Sequence, residues 1–292
     1  MTIKKDIWKI GAVKAPLSDV LKTGLISHEI IWLQDTPPLT FLADPFGVWR
    51  NERLYLFAEA YDYRDRRGKI EVLVFDHTLQ LVERGVALAE PWHLSYPFIV
   101  ESNGNHYMLP EAIESGRLTL YRATEFPYHW EPVKIIVLDF VPVDPTPIFF
   151  DGLWWLFYTP ATTWEAKVGA LHVAFAEALD GPWTPHPRNP VQRDVSCSRP
   201  GGSPILVDGT LVLPMQDCRK TYGGAVRPLT VTRLTPDRFE AFPGHRIAAL
   251  GQDGMHTLSA AEHLTLLDVK CFHLSPKSLL LDLQNEFRKA FL

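Results

Sequence analysis

Residues 45–59 read PFGVWRNERLYLFAE, and the pattern returns as PFIVESNGNHYMLPE at 97–111, PIFFDGLWWLFYT at 147–159 and PILVDGTLVLPMQD at 204–217. Each stretch is a pair of short apolar runs around a polar turn at Asn51, Asn103, Asp151 or Asp208, which is how a β-hairpin is written in sequence. The opening prolines Pro45, Pro97, Pro147 and Pro204 are 52, 50 and 57 residues apart. One more step lands in HTLSAAEHLTLLDVK, a fifth hairpin beginning near His256. Five like units at a period of about 50 residues predict a propeller or a related array.

The units continue alike. A third apolar strand follows each of the first four hairpins, at Ile70–Asp76, Leu118–Thr124, Leu171–Glu177 and Val226–Leu234. Less regular fourth segments lie at Gln80–Leu88, at Pro132–Leu138 and around Trp183 and Phe239. The expected fold is therefore all-β, a five-bladed propeller of four-stranded antiparallel blades, with blades starting near residues 42, 94, 142, 199 and 254. The fifth unit runs out of strands near Leu274. Its missing outer strands are expected from residues 7–33, where Ile7–Gly11 and His28–Leu33 read as strands, so that the two ends of the chain close the ring. A C-terminal amphipathic helix is expected over 276–291, with Leu279, Leu280, Leu283, Phe287 and Phe291 on one side. No linker-like stretch supports two separate domains, so 1–292 is read as one.

Composition agrees with this and removes other classes. The chain holds 24 Pro and 34 aromatic residues (9 Trp, 9 Tyr, 16 Phe) in 292, and helix interiors reject that much proline. A net charge of -5 and a pI of about 6.1 argue against a nucleic-acid-binding surface. No apolar run approaches the roughly 18 residues of a membrane span, and the first twenty residues show no apolar core or small-residue cleavage site. Cys197, Cys218 and Cys271, odd in number and scattered, suggest neither a disulfide framework nor a zinc site. The expectation is a soluble, cytoplasmic, bacterial protein with no cofactor and no assigned oligomeric state. Neither a phosphate-binding glycine loop, nor Gly-x-Ser-x-Gly, nor His-Glu-x-x-His occurs.

Aligning the repeats on their turns marks one end of the ring. Seven residues before the turns stand Asp44, Tyr96, Asp144 and Gly201, and eight after them stand Glu59, Glu111, Thr159 and Gln216. In an antiparallel hairpin both sets lie at the same end, so Asp44, Asp144, Glu59 and Glu111 should converge on one mouth of the central channel. Carboxyls gathered in a pocket spread their pKa values, which suits acid/base chemistry. Trp92, His93, Tyr96, Arg199, Asp217, Tyr222 and His256 fall near the same rim. Aromatic faces beside carboxylates and an arginine are what a sugar ring needs. Plainer readings stand beside each of these. Asp-Pro opens strands, Glu59 and Glu111 could be solvated strand ends, Arg199 could be an ion-pair partner, His93 and His256 could satisfy buried polar groups, and Tyr222 could be loop packing. Trp154 and Trp155, neighbours on one strand, should split between core and surface.

The segments LADPFGVW, HLSYPFIVESNGNHYMLPE, VDPTPIFFDGLWWLF, SRPGG, QDCRKTYGGAV and GMHTLS together resemble the glycoside-hydrolase-family-43-like propellers. These include the propeller region of plant glucosamine inositolphosphorylceramide transferases and stand-alone bacterial relatives, and the likeness runs from Phe41 to about Asp268. In the related furanosidases an Asp-Pro at the opening of the first blade supplies the base or nucleophile, and the resemblance implies that role for Asp44. A second Asp-Pro tunes the acid, which implies Asp144. Those hydrolases carry their general-acid Glu on a later blade, whereas this chain offers Arg199, Gly201 and Gln216-Asp217 there.

Three functions follow as expectations. The first is an enzyme acting on a glycosidic bond in the funnel, with Asp44 as base, Glu111 (or Glu59) as proton donor and Asp144 as tuner. Inversion would need carboxyls roughly 6.5–9.5 Å apart and retention about 5–5.5 Å. The second is a glycosyltransferase in surface-glycan or glycolipid assembly, with Arg199 and His93 on the phosphates of a sugar-nucleotide donor. The third is a non-catalytic glycan-binding module. A divalent ion such as calcium near His256 would be compatible with the channel, but no ligand spacing calls for one, so no metal ligand is assigned.

Overall fold

The computed structural model describes residues 4–249 and 251–274. Five sheets of antiparallel strands are arranged as the five blades of a propeller. Blade 1 consists of Thr40–Arg50, Arg53–Asp62, Arg67–Phe75 and Leu81–Leu88, paired in chain order. Blade 2 consists of Ser95–Ser102, Asn105–Glu111, Leu118–Glu125 and His129–Ile136. In blade 3, Pro142–Phe150, Leu153–Pro160 and Ala170–Ala176 are followed by short strands at Thr184–Pro185 and Gln192–Arg193. Blade 4 breaks its first strand into Arg199–Pro200 and Ile205–Val207, then adds Thr210–Gln216, Val226–Thr235 and Arg238–Pro243.

The last sheet draws on both ends of the sequence. Leu258–Ala261 pairs with Leu264–Leu274, which pairs with Lys4–Val13, which pairs with Ile30–Trp32. The register between Lys4–Val13 and Leu274–Thr265 is unbroken over ten residues. A helix that the sequence pattern did not suggest, α1 (Leu17–Thr23), lies between the two N-terminal strands and buries Leu17, Val20 and Leu21 against Leu258, Leu267 and Val269. The expected helix over 276–291 lies outside the described residues.

Turn chemistry explains the hairpins. Asn51, Asn103, Asp151 and Asp208 all adopt positive φ, near +50°, where Asn and Asp are among the few side chains tolerated. Apolar side chains then alternate into the spaces between blades. Trp155 is buried, with its Nε1 donating to the Phe150 carbonyl, while Trp154 faces the other way and stays partly open. Cys197 is core, and Cys218 and Cys271 are partly exposed.

Candidate functional site

A shared irregularity builds the mouth of the channel. In blades 1, 2 and 3 the ladder slips by one residue, between Ala43 and Phe46, Ser95 and Phe98, and Val143 and Thr146. Each slip is a β-bulge, and it places Asp44, Tyr96 and Asp144 at φ of +50°, +46° and +49°. Such backbone in a non-glycine residue costs roughly 1–3 kcal/mol and persists only where its surroundings hold it. Here the preceding blade does so. The Asp44 N–H donates to Asp268 Oδ2 (2.9 Å), the Tyr96 N–H to Asp44 Oδ2 (3.2 Å) and the Asp144 N–H to Glu111 Oε2 (3.0 Å). Blade 5 thus holds blade 1, blade 1 holds blade 2, and blade 2 holds blade 3.

Asp44, Glu59, Glu111 and Asp144 are all buried, between 3 and 7% exposed, so none is a solvated strand end. Glu59 lies across the ladder from Ala43, and Glu111 from Ser95, at the channel end of their hairpins. Asp44 Oδ1 also accepts from the Thr257 hydroxyl (2.9 Å) and lies 3.5 Å from His256 Nδ1. Burial pushes the Asp44 carboxyl up to about 6, against the pull of His256. Asp144 takes Arg199 Nε (2.7 Å) and the Gln216 amide (2.7 Å) on one oxygen and Arg199 NH2 (3.3 Å) on the other. Burial raises it to about 7, while these donors favour the anion.

Glu59 differs from its neighbours. Its closest ionisable partner is His93, with Nε2 3.5 Å from Oε1. His93 Nδ1 accepts the Gly68 N–H (2.8 Å), which leaves the proton of a neutral ring on Nε2, facing Glu59. Burial holds His93 below the usual imidazole range. The Glu59 carboxyl is raised well above the usual carboxylate range, first by burial and then by Asp44 and Glu111.

His256 stacks on Trp8 at a centroid distance of 3.7 Å, and its Nδ1 lies 2.7 Å from Asp268 Oδ2. Burial would lower its pKa, but Asp268 and Asp44 outweigh that and hold it raised. Asp268, wholly buried, also accepts the N–H groups of His256 and Thr257 (3.0 Å each). Burial alone would raise it, yet His256 and these donors hold it below the carboxylate range. His256 Nδ1 and one carboxylate oxygen from each of Asp44 and Asp268 lie within 4.8 Å of one another, the one grouping of metal-ligating side chains among the described residues. Those atoms already face each other through His256 Nδ1, so a cation there would have to take the place of its proton.

Arg199 lies over the Tyr222 ring (4.9 Å to the centroid) and 3.4 Å from its hydroxyl, so Tyr222 is a wall of the site. Tyr222 meets Trp164 edge-on at 6.2 Å, and Trp164 is 57% exposed. Trp164 opens α2 (Trp164–Gly169), which Thr163 caps by accepting the Ala166 N–H.

Three expected site residues play other parts. Tyr96 is wholly buried. Its hydroxyl donates to the Gly202 carbonyl (3.2 Å), accepts the Gly202 N–H (2.8 Å) and lies 2.9 Å from the Thr146 hydroxyl, so it ties blade 2 to blades 3 and 4. Asp217, just past the strand end at Gln216, pairs with Arg219 (2.6 Å) and Arg246 (3.8 Å) rather than with the carboxyl cluster. Trp92 packs against the apolar cluster of blades 1 and 2 beneath Arg117, with its Nε1 buried and unpartnered.

Asp268, Lys270, Trp8 and Thr257 are site residues absent from the sequence reading. The fifth hairpin turns at Glu262-His263, since Ala261 pairs with Leu264. Counting eight residues onward from Glu262 reaches Lys270, the counterpart of Glu59 and Glu111. Lys270 is buried and donates to the Tyr222 carbonyl (2.5 Å) and the Thr221 hydroxyl (3.0 Å), which anchors the loop bearing Tyr222. Asp268 stands where the other hairpins place Phe57, Leu109, Phe157 and Pro214, and that lone carboxylate was the available signal.

Comparison with known proteins agrees with the fold. Among solved structures, a family 117 glycoside hydrolase from the marine bacterium Zobellia galactanivorans superposes with a TM-score of 0.60 at 14% identity, over 93% of this chain and 92% of that one. The catalytic domain of the Coprinopsis cinerea GH62 α-L-arabinofuranosidase does so at 0.58 and 13%, over 90% and 96%. At that identity the likeness is one of fold. In sequence, the chain is 36% identical over 210 residues to glucosamine inositolphosphorylceramide transferase 1 of Oryza sativa subsp. indica, covering 70% of this chain and 28% of the relative. The Arabidopsis thaliana protein of the same name matches at 36% over 207 residues, 69% of this chain and 27% of that one. The chain thus spans little more than a quarter of those relatives' length. Residues 26–269 match the sequence model described as glucosamine inositolphosphorylceramide transferase 1, N-terminal, and the chain belongs to that family.

Proposed function

We propose that the funnel acts on a glycosidic bond, with Asp44 and Glu59 as its working pair. The observation that carries this reading is the contrast between two buried carboxyls on paired strands of one blade. Asp44 is surrounded by donors and titrates near 6, while Glu59 is pushed well above the carboxylate range beside a neutral His93. Titratable groups driven apart by their environments are how acid and base are assigned. Glu59 gives its proton to the leaving-group oxygen; Asp44 accepts one from the attacking water or attacks the anomeric carbon itself. Asp144, clamped by Arg199 and Gln216, holds the field of the site. Glu111 accepts the Asp144 N–H and lies 4.0 Å from Arg199, so its carboxylate is engaged in holding the Asp144 bulge. Tyr222 and Trp164 offer aromatic faces for a sugar.

Transfer to a hydroxyl acceptor is the second reading, and the name of the 36% identical relatives favours it. The same two carboxyls would serve, with the acceptor hydroxyl replacing water. A sugar-nucleotide donor fits less well, because Arg199 is already engaged by Asp144 and Tyr222, and His93 is held neutral. The test is product formation from a panel of neutral aryl glycosides and nucleotide sugars, followed by Asp44→Asn and Glu59→Gln. Loss of turnover in both variants supports the pair. Sugar binding without turnover in any assay, unaltered by either substitution, would leave only a glycan-binding module.

A further inference from the structure

A second site lies at the opposite end of the strands. Between blades 2 and 3, where the hairpins turn, runs a groove of about 670 Å³. That volume falls within the usual range for small-molecule sites. Its rings are Tyr107, Phe149 and Trp154, and its charged walls are Glu101, Arg122, Glu177 and Asp180. Phe149 and Trp154 face each other across the blade 3 hairpin, with centroids 5.5 Å apart at 59°. Phe149 remains 53% exposed.

The repeat shows why this exposure asks for a ligand. Two residues before the turn, blade 1 carries Trp49, whose Nε1 is tied to the Ala261 carbonyl of blade 5 (3.1 Å). Blade 3 carries Phe149 at the same position, where it stays open to the groove instead. Trp155 has already taken the core position on this strand, so Trp154 is left to the groove. An aromatic pair floored by apolar side chains and edged by carboxylates and a guanidinium provides ring stacking with hydroxyl acceptors and donors beside it. The three carboxylates against one guanidinium make the walls net negative, which disfavours phosphates, uronates and nucleotide sugars. We infer that this groove is a second carbohydrate site, selective for uncharged glycan residues and independent of the funnel.

Saturation-transfer NMR with maltotriose, cellotriose, mannotriose and galactotriose, beside a glucuronate trisaccharide, tests it. At least one neutral trisaccharide is expected to bind at millimolar concentration, equally well to wild type and to Asp44→Asn, and the glucuronate is not. Phe149→Ser, at a half-exposed position, should weaken that binding roughly tenfold, the worth of one aromatic face. Asp180→Asn, at the surface, should weaken it as well and serves alone if Phe149→Ser does not fold. The inference is overturned if no neutral trisaccharide binds, if binding survives both groove substitutions, or if Asp44→Asn abolishes it.

Discussion

Asp44 stands where three blades meet, receiving an N–H from blade 2 and a hydroxyl from blade 5 while its own N–H is held by Asp268. Tyr96 occupies the same bulge one blade later and has become a tie rather than a ligand contact. Removing its hydroxyl strands the buried Gly202 N–H, so Tyr96→Phe should cost about 1–3 kcal/mol in denaturant unfolding. An unchanged midpoint would contradict the tie. At this scale the sequence was legible where the turn was. Asn-Glu, Asn-Gly and Asp-Gly turns let Asp44, Glu59, Glu111 and Asp144 be counted to one end of the channel. Glu262-His263 carries no such signature, so Asp268 and Lys270 went uncounted. Long-range pairing decided the rest, since nothing local to Asp217 reveals that Arg246 also faces it.

Strand by strand, the hairpins and their third strands follow from apolar alternation, while the fourth strand of blade 3 is cut into two-residue pieces and that of blade 4, Arg238–Pro243, buries no residue fully, so both leave only vague marks. The α1 helix went unread because its seven residues offer a single buried stripe, and its Pro16 N-cap makes no side-chain cap bond. Blade 4 departs most from the repeat. Its first strand breaks at Gly201-Gly202, and Gly202 adopts φ +132°, where a Cβ would fall onto the Leu258 carbonyl. Glycine is what allows blades 4 and 5 to approach there. Gly202→Ala should therefore lower the melting temperature well beyond the effect of an exposed control such as Gly104→Ala, where a Cβ meets nothing. Equal melting of the two variants would refute the contact.

For the whole molecule, the ring closes through the ten-residue pairing of Lys4–Val13 with Leu274–Thr265, and Trp8 on that strand supports His256. The first strand of the sequence thus reaches the centre of the site. Concentrating acids there has a thermodynamic consequence. Asp44 at about 6, Asp144 at about 7 and Glu59 keep protons in the fold that an unfolded chain releases near 4. Where the folded state binds more protons, stability falls as pH rises. Melting temperature should therefore decline between about pH 4 and 7, and Glu59→Gln should flatten the decline. His256, with its raised pKa, adds stability that is fully present below about 6.5 and lost as pH climbs through its folded value, in the same direction. A melting temperature that rises over this range would refute the account of the buried carboxyls.

The pair at the mouth is tested most directly by the pH dependence of turnover on a glycoside that the wild type cleaves or transfers, measured beside Glu59→Gln. The expected profile is a bell with its acidic limb near 6, set by Asp44, and an alkaline limb well above the ordinary carboxylate range, set by Glu59. Glu59→Gln should lose that alkaline limb and most of the rate for poor leaving groups. An unchanged bell in Glu59→Gln, or full activity in Asp44→Asn, would contradict the assignment.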